Sequence, residues 1–172
     1  MASICVNYLL LNELDFIRLK KVPQKKYFSP DRLEIQRVTD EEHRNDIYDV
    51  EALLAYAAEH WPSHFRESTT YGTSPDLKKV CSLYQLECSR FKLWFPLLWQ
   101  ARRPYESKPD MNDIRLAAFN GHSVILHLIL DSDSVNLENR DNKQRTALYW
   151  AAELGYEKVV KLLLDNGADV NA

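Results

Sequence analysis

The chain has 172 residues, enough for one or two compact domains, and its apolar and charged fractions, 45% and 27%, are those of folded globular proteins and exclude wholesale disorder. A formal net charge of -3 supplies no basic field that would gather nucleic acid or an anionic membrane surface. Three cysteines, Cys5, Cys81 and Cys88, form no paired framework, as expected of a reducing, cytosolic compartment, and are read as core thiols.

In chain order, Met1 to Val6 lacks the positive residues that precede a signal-peptide core, and Asn7, Asn12, Glu13 and Asp15 interrupt the apolar stretch too early for it to span a bilayer. Residues 2–19 carry apolar side chains around most of a helical circumference, with Ile4, Tyr8 and Leu11 on one face and Cys5, Leu9 and Leu10 beside them; such a helix requires burial on several sides. The basic run Lys20, Lys21, Lys25 and Lys26, interrupted by Pro23 and followed by Tyr27 and Phe28, reads as a solvated loop. Ser29-Pro30-Asp31 is a helix start, and a short helix to about Val38 is predicted, followed by a loop from Asp40 to Arg44.

From Ile47 the spacing Ile47, Val50, Leu54, Ala57, Trp61 predicts an amphipathic helix capped by Asn45 or Asp46, with Pro62 expected to end or kink it. Ser74-Pro75-Asp76 starts another, whose inward stripe is Leu77, Val80, Cys81, Tyr84 and Cys88. Cys81 and Cys88, two turns apart on one helix, would lie roughly 10 Å from each other, beyond disulfide reach. Ser89 is placed to cap a further aromatic segment with Phe91, Trp94, Phe95 and Trp99, disturbed by Pro96. Ala101 to Pro109, with Arg102, Arg103, Pro104 and Pro109, is a polar connector, and the domain boundary is placed there.

After residue 110 the chain repeats itself at an offset of 34 residues. Ala117-Ala118, Gly121, Leu128, Leu130 and Asp131 fall on Ala151-Ala152, Gly155, Leu162, Leu164 and Asp165, while Ile125, Leu126 and Ile129 meet Val159, Val160 and Leu163. Small alanines let an inner helix approach its neighbours, the glycine turns the chain, and the aliphatic run buries an outer helix. The second copy reads Arg145-Thr146-Ala147-Leu148-Tyr149-Trp150-Ala151-Ala152, then Gly155, Val159-Val160-Lys161-Leu162-Leu163-Leu164 and Asn166-Gly167-Ala168-Asp169-Val170-Asn171-Ala172, and it resembles the ankyrin repeat. It departs at Gln144 (usually Gly), Ala147 (usually Pro) and Tyr149 (usually His), which puts the finger geometry in question. In the first copy Asn112-Asp113-Ile114-Arg115 stands where the family has Thr-Pro-Leu-His; it keeps Asn120-Gly121-His122 and Val135-Asn136 and reads as a degenerate or initiating repeat, with His122 in a turn-stabilising position.

Upstream, Ile4-Cys5-Val6-Asn7-Tyr8-Leu9-Leu10, Tyr56-Ala57-Ala58-Glu59-His60-Trp61-Pro62-Ser63-His64-Phe65-Arg66 and Phe91-Lys92-Leu93-Trp94-Phe95 resemble the helical stretch between the NTPase module and the ankyrin array of fungal NACHT-type receptors. These resemblances imply an all-α fold, a helical connector region (residues 1–104) packed onto a short ankyrin solenoid (110–172; first repeat 110–140, second 141–172). They imply a protein-protein interaction module, the sensor or scaffold segment of such a receptor, whose partner is another protein. Contact residues carried over from the family are Asn142, Lys143 and Arg145 on the finger, Glu153 and Leu154 at the end of the inner helix, and Phe119 and Asn120 in the first copy.

Catalytic chemistry finds little footing. Gly72, Gly121, Gly155 and Gly167 form no phosphate-cradling loop, so no nucleotide or other cofactor is assigned. His60 and His64 stand four apart after Glu59, but with Pro62 between them and no third ligand they read as polar tips flanking Trp61 rather than a zinc pair. The competing expectations are a cofactor-free enzyme with a site around His60, His64 and the Trp94 cluster, and a truncated gene product without an independent role. The aliphatic run of the second copy, that of an internal repeat ending at Ala172, predicts self-association through an uncapped edge.

Overall fold

The computed structural model describes residues 1–10, 19–21, 33–35, 44–72, 76–132 and 135–171. In order these form α1 (Ala2–Leu9), β1 (Leu19–Lys21), β2 (Leu33–Ile35), α2 (Arg44–Thr70), α3 (Leu77–Ser82), α4 (Ser89–Arg102), α5 (Asp113–Asn120), α6 (Ser123–Leu130), α7 (Ala147–Glu153) and α8 (Glu157–Asp165). The body is all-α, as the sequence implies, and one two-stranded antiparallel ribbon is the departure among the described residues, with Leu19 opposite Ile35, Lys20 opposite Glu34 and Lys21 opposite Leu33. The ribbon corrects three expectations. Lys20 and Lys21, read as part of a solvated loop, lie in β1. The first helix does not reach residue 19, and Leu33-Glu34-Ile35, predicted helical, is a strand: an apolar-acidic-apolar triplet fits a period of two better than one of 3.6. The expected helix start at Ser29-Pro30-Asp31, Lys25 and Lys26, and the loop residues 40–43 lie outside the described residues.

α1 buries Cys5, Val6 and Leu9 against α2 but leaves Ile4 exposed, so its apolar face is narrower than expected. α2 continues through Pro62 to Thr70, so of the two expectations, an end or a kink, the end does not occur. The ring removes one N–H from the ladder, but Trp61 and Phe65 on either side are wholly buried, and burial of two large rings outweighs one lost backbone bond. Pro96 sits inside α4 in the same way, between the buried Phe95 and Leu98. α3 is short and capped by Asp76, whose carboxylate accepts from the Lys78 N–H at 2.9 Å. Because α3 stops at Ser82, Cys81 and Cys88 share no helix and are not core thiols: Cys81 is exposed, and Cys88, rather than Ser89, caps α4, its Sγ accepting from the Phe91 N–H at 3.4 Å. Cys5 alone is buried, and burial pushes its thiol pKa up.

α5 to α8 form two stacked helix pairs. Asn112 and Thr146 cap the inner helices α5 and α7 by accepting from the N–H groups of Arg115 and Tyr149. Gly121 ends α5 with a φ of 70°, a left-handed turn that glycine takes without penalty, and a Cβ here would collide with Tyr156 at 2.8 Å. One continuous core joins the pairs to the preceding helices. Trp61 meets Trp94 edge-on at 5.2 Å, Phe95 meets Phe119 at 6.4 Å, and Trp99, Phe119 and Trp150 contact one another at 5.3–5.8 Å.

His122 locks this junction. It is buried under Trp61 and Phe65, at ring distances of 5.0 and 4.7 Å. Its Nε2 lies 3.0 Å from the Pro62 carbonyl, which can only accept, so Nε2 carries the proton and Nδ1 accepts from the Tyr84 hydroxyl at 2.6 Å. Burial lowers the imidazole pKa to about 3, the Pro62 hydrogen bond offsetting only part of this. The unfolded chain therefore takes up a proton near its ordinary value of 6.5 while the folded chain does not. Stability is complete above pH 6.5 and falls as pH drops from there toward 3, by at most roughly 5 kcal/mol. Urea unfolding between pH 8 and 4 should show this slope, and His122→Gln, less stable at neutral pH, should lose most of it; an equal slope in both proteins would refute a neutral buried imidazole.

Candidate partner-binding surface

The loop from Asp141 to Thr146 that precedes α7 is built around one carboxylate. Asp141 Oδ1 accepts from the Lys143 and Arg145 N–H groups at 2.8 and 2.9 Å, Oδ2 takes the Arg145 Nε at 2.8 Å, and the backbones close with Asp141 N–H on Arg145 O at 3.0 Å. Burial would raise the Asp141 pKa, but the Arg145 N–H and guanidinium outweigh it and hold the carboxyl below its usual range. Gln144 occupies the tip with a φ of 63°, a left-handed conformation that glycine takes without penalty. The Cβ of a glutamine in this conformation strains the turn.

The segment after α4 clamps this loop from the other side. Glu106 Oε1 receives Lys143 Nζ at 2.8 Å and Arg145 at 2.5 Å, while Arg103 pairs with Glu153 at 2.7 Å and with Glu106 at 3.4 Å. Trp99 Nε1 donates to the Glu106 carbonyl at 2.8 Å. Arg145 and Arg103 lie over Trp150 at 4.0 and 5.6 Å from its ring centroid. Burial would raise the Glu106 pKa; the hydrogen bonds from Lys143 and Arg145 prevail and lower it.

These contacts sort the seven contact residues carried over from the family. Phe119 and Asn120 are wholly buried and cannot meet a partner: Phe119 is a core ring between Phe95, Trp99 and Trp150, and the Asn120 amide lies beside the Tyr84 hydroxyl. Arg145 is 9% exposed and committed to Asp141, Glu106 and Trp150. Asn142, Lys143 and Glu153 are exposed and Leu154 half-buried, with Lys143 and Glu153 held by Glu106 and Arg103. Tyr149 on α7 is exposed as well, at 47%. Its place where the family usually has His is the one signal of it in the sequence.

His60 and His64, both half-buried, form a ring cluster with the exposed Tyr56, at 4.5 Å (Tyr56 to His60) and 6.2 Å (His60 to His64), and the Tyr56 hydroxyl is 3.3 Å from His64 Nε2. Trp94 is buried in the core, so the structure does not bring it to one site with the two histidines. Among the described residues no group of three or more His, Cys, Asp or Glu is placed to hold a metal ion, and no helix is long and apolar enough to cross a membrane.

Residues 102–172 match the family described as ankyrin repeats (3 copies), so the two helix pairs are ankyrin repeats. The chain is similar to delta-latroinsectotoxin-Lt1a of Latrodectus tredecimguttatus, 39% identical over 64 residues, 37% of this chain and 5% of that protein. It is 44% identical over 59 residues to ankyrin repeat and KH domain-containing protein 1 of Homo sapiens and to the Drosophila melanogaster protein mask, 34% of this chain and 2% and 1% of theirs. The chain therefore spans only a small fraction of the relatives it matches. No solved structure matches.

A left-handed residue without glycine costs about 1 kcal/mol. Gln144→Gly should raise the melting temperature by a few degrees and Gln144→Val should lower it; equal melting of the two would mean that the loop does not hold the turn described.

Proposed function

We propose that this chain is a protein-binding module whose contact surface is the loop and inner-helix face of the second repeat, centred on Asn142, Lys143, Tyr149, Glu153 and Leu154. One observation carries the reading: Asn142 and Tyr149 are exposed on a loop and helix that Asp141, Arg145 and Glu106 hold rigid from below. A preordered surface loses little conformational freedom on binding. Residues 1–104 serve as the N-terminal neighbour of the repeats. Beyond this we read the chain as the connector and first sensor repeats of a NACHT-type receptor acting in the cytoplasm, a placing that rests on the upstream residues Tyr56 to Arg66 and Phe91 to Phe95 and is tested by whether the locus continues in frame into an NTPase module.

The competing enzyme reading has less support, since the histidines and the Trp94 cluster lie apart. Cross-linked capture from the source cell with wild type, Asn142→Ala/Tyr149→Ala and a control Lys92→Ala should yield a protein that only the double variant loses. Identical capture by all three would sink the proposed surface.

The far side of the second repeat offers a second contact. A groove of about 450 Å³ there is lined by Ala152, Gly155, Glu157, Val160, Lys161, Leu164 and Asp165. The residues 34 positions before Ala152 and Val160 are Ala118 and Leu126, both wholly buried, whereas Ala152 is exposed and Val160 half-buried. Self-association through this face follows. Appending a polar-faced helix pair should raise the melting temperature and lower light scattering; a monomer unaffected by the addition would argue against it.

A further inference from the structure

At the end of α7 away from the finger loop, two arginines converge on one tyrosine. Arg66 of α2 lies over the Tyr156 ring at 4.9 Å, donates to the Asn120 carbonyl, and donates to Ser63 Oγ at 3.0 Å. Its stem and the Tyr156 ring rest on Gly121, where a Cβ would stand 2.9 and 2.8 Å from them, so the platform is fixed. Those two hydrogen bonds use two of the five N–H donors of a guanidinium. Arg102, at the end of α4, packs over Phe119 at 5.5 Å beside Tyr156. Among the described residues neither Arg66 nor Arg102 forms an ion pair with a carboxylate, in contrast to Arg103 and Arg145. Burial lowers the Arg102 pKa, and the Arg66 charge adds to this. Glu59, the carboxylate whose field reaches Arg102, is exposed and faces His60 at 3.9 Å.

Half-buried cations gathered without counter-charge are destabilising unless an anion completes them, and planar guanidinium groups bind two-oxygen anions in a fixed fork. We propose that Arg66, Arg102 and Tyr156 form a receptor for an oxyanion, a phosphate or carboxylate carried on a peptide segment of the protein partner. The inference deepens the protein-binding reading and rests on it, but it uses a surface separate from Asn142 and Tyr149.

The test is fluorescence anisotropy of the full chain with three labelled peptides, Gly-Ser-X-Ser-Gly with X phosphoserine, glutamate or serine. The phosphoserine peptide, or it and the glutamate peptide, should saturate while the serine peptide does not; phosphoserine alone identifies phosphate, both identify any oxyanion. Arg102→Gln should weaken binding at least tenfold and melt no lower than wild type, because it removes a half-buried charge that no carboxylate pairs, whereas Lys92→Ala should bind normally. Equal binding of all three peptides, absence of binding by all, undiminished binding by Arg102→Gln, or a lower melting temperature for that variant would overturn the proposal. Asn142→Ala/Tyr149→Ala should bind the peptides as wild type does, so failure of the finger surface and failure of this site are told apart.

Discussion

A stack of two repeats has two apolar ends, and the mutual contact of Trp99, Phe119 and Trp150 closes one of them. The three rings come from the last preceding helix, the first repeat and the second. Each buried aromatic contributes some 150–250 Å² of surface, and edge-on pairs add about 0.5–1.5 kcal/mol beyond that area. The rest of the helical body is arranged to deliver Trp99 to this point: α4 continues past Pro96, α2 past Pro62, and both carry rings that extend the contact through Phe95, Trp94 and Trp61.

The repeats were legible because their signals are local. Paired alanines, a glycine after each inner helix and an aliphatic run on each outer one specify a helix pair with little help from elsewhere, and Ala117, Ala118, Ala151 and Leu163 are buried as that pattern requires. The upstream stripe Leu54, Ala57, Trp61 was legible for the same reason. What sequence reading missed was decided by tertiary contact. Pro62 was judged by its local effect, while Trp61 and Phe65 set the course of α2. Cys81 fits a helical stripe that Leu83 and Tyr84 cut short, both being buried just past the end of α3.

The contact surface shows the same division. Matching residues to family positions found Asn142, Lys143 and Glu153, which the loop does expose, but it placed Phe119, Asn120 and Arg145 there as well. Nothing in a single repeat reveals that Glu106 would supply a carboxylate for Arg145, or that a helix from outside the array would cover Phe119. The loop is consequently held from within by Asp141 and Glu106, and the surface it supports is ordered before any partner arrives.

Arg103 and Glu106 reach past the first repeat and take their partners, Glu153, Lys143 and Arg145, from the second. In an array of interchangeable units, duplication or loss of one unit by unequal recombination leaves every junction intact. Here such an event within residues 110–140 would set a different repeat against Glu106 and break all three pairs at once. The segment therefore acts as a ruler that counts one repeat, and it gives the order of units at the head of the array a physical basis that stacking alone does not provide.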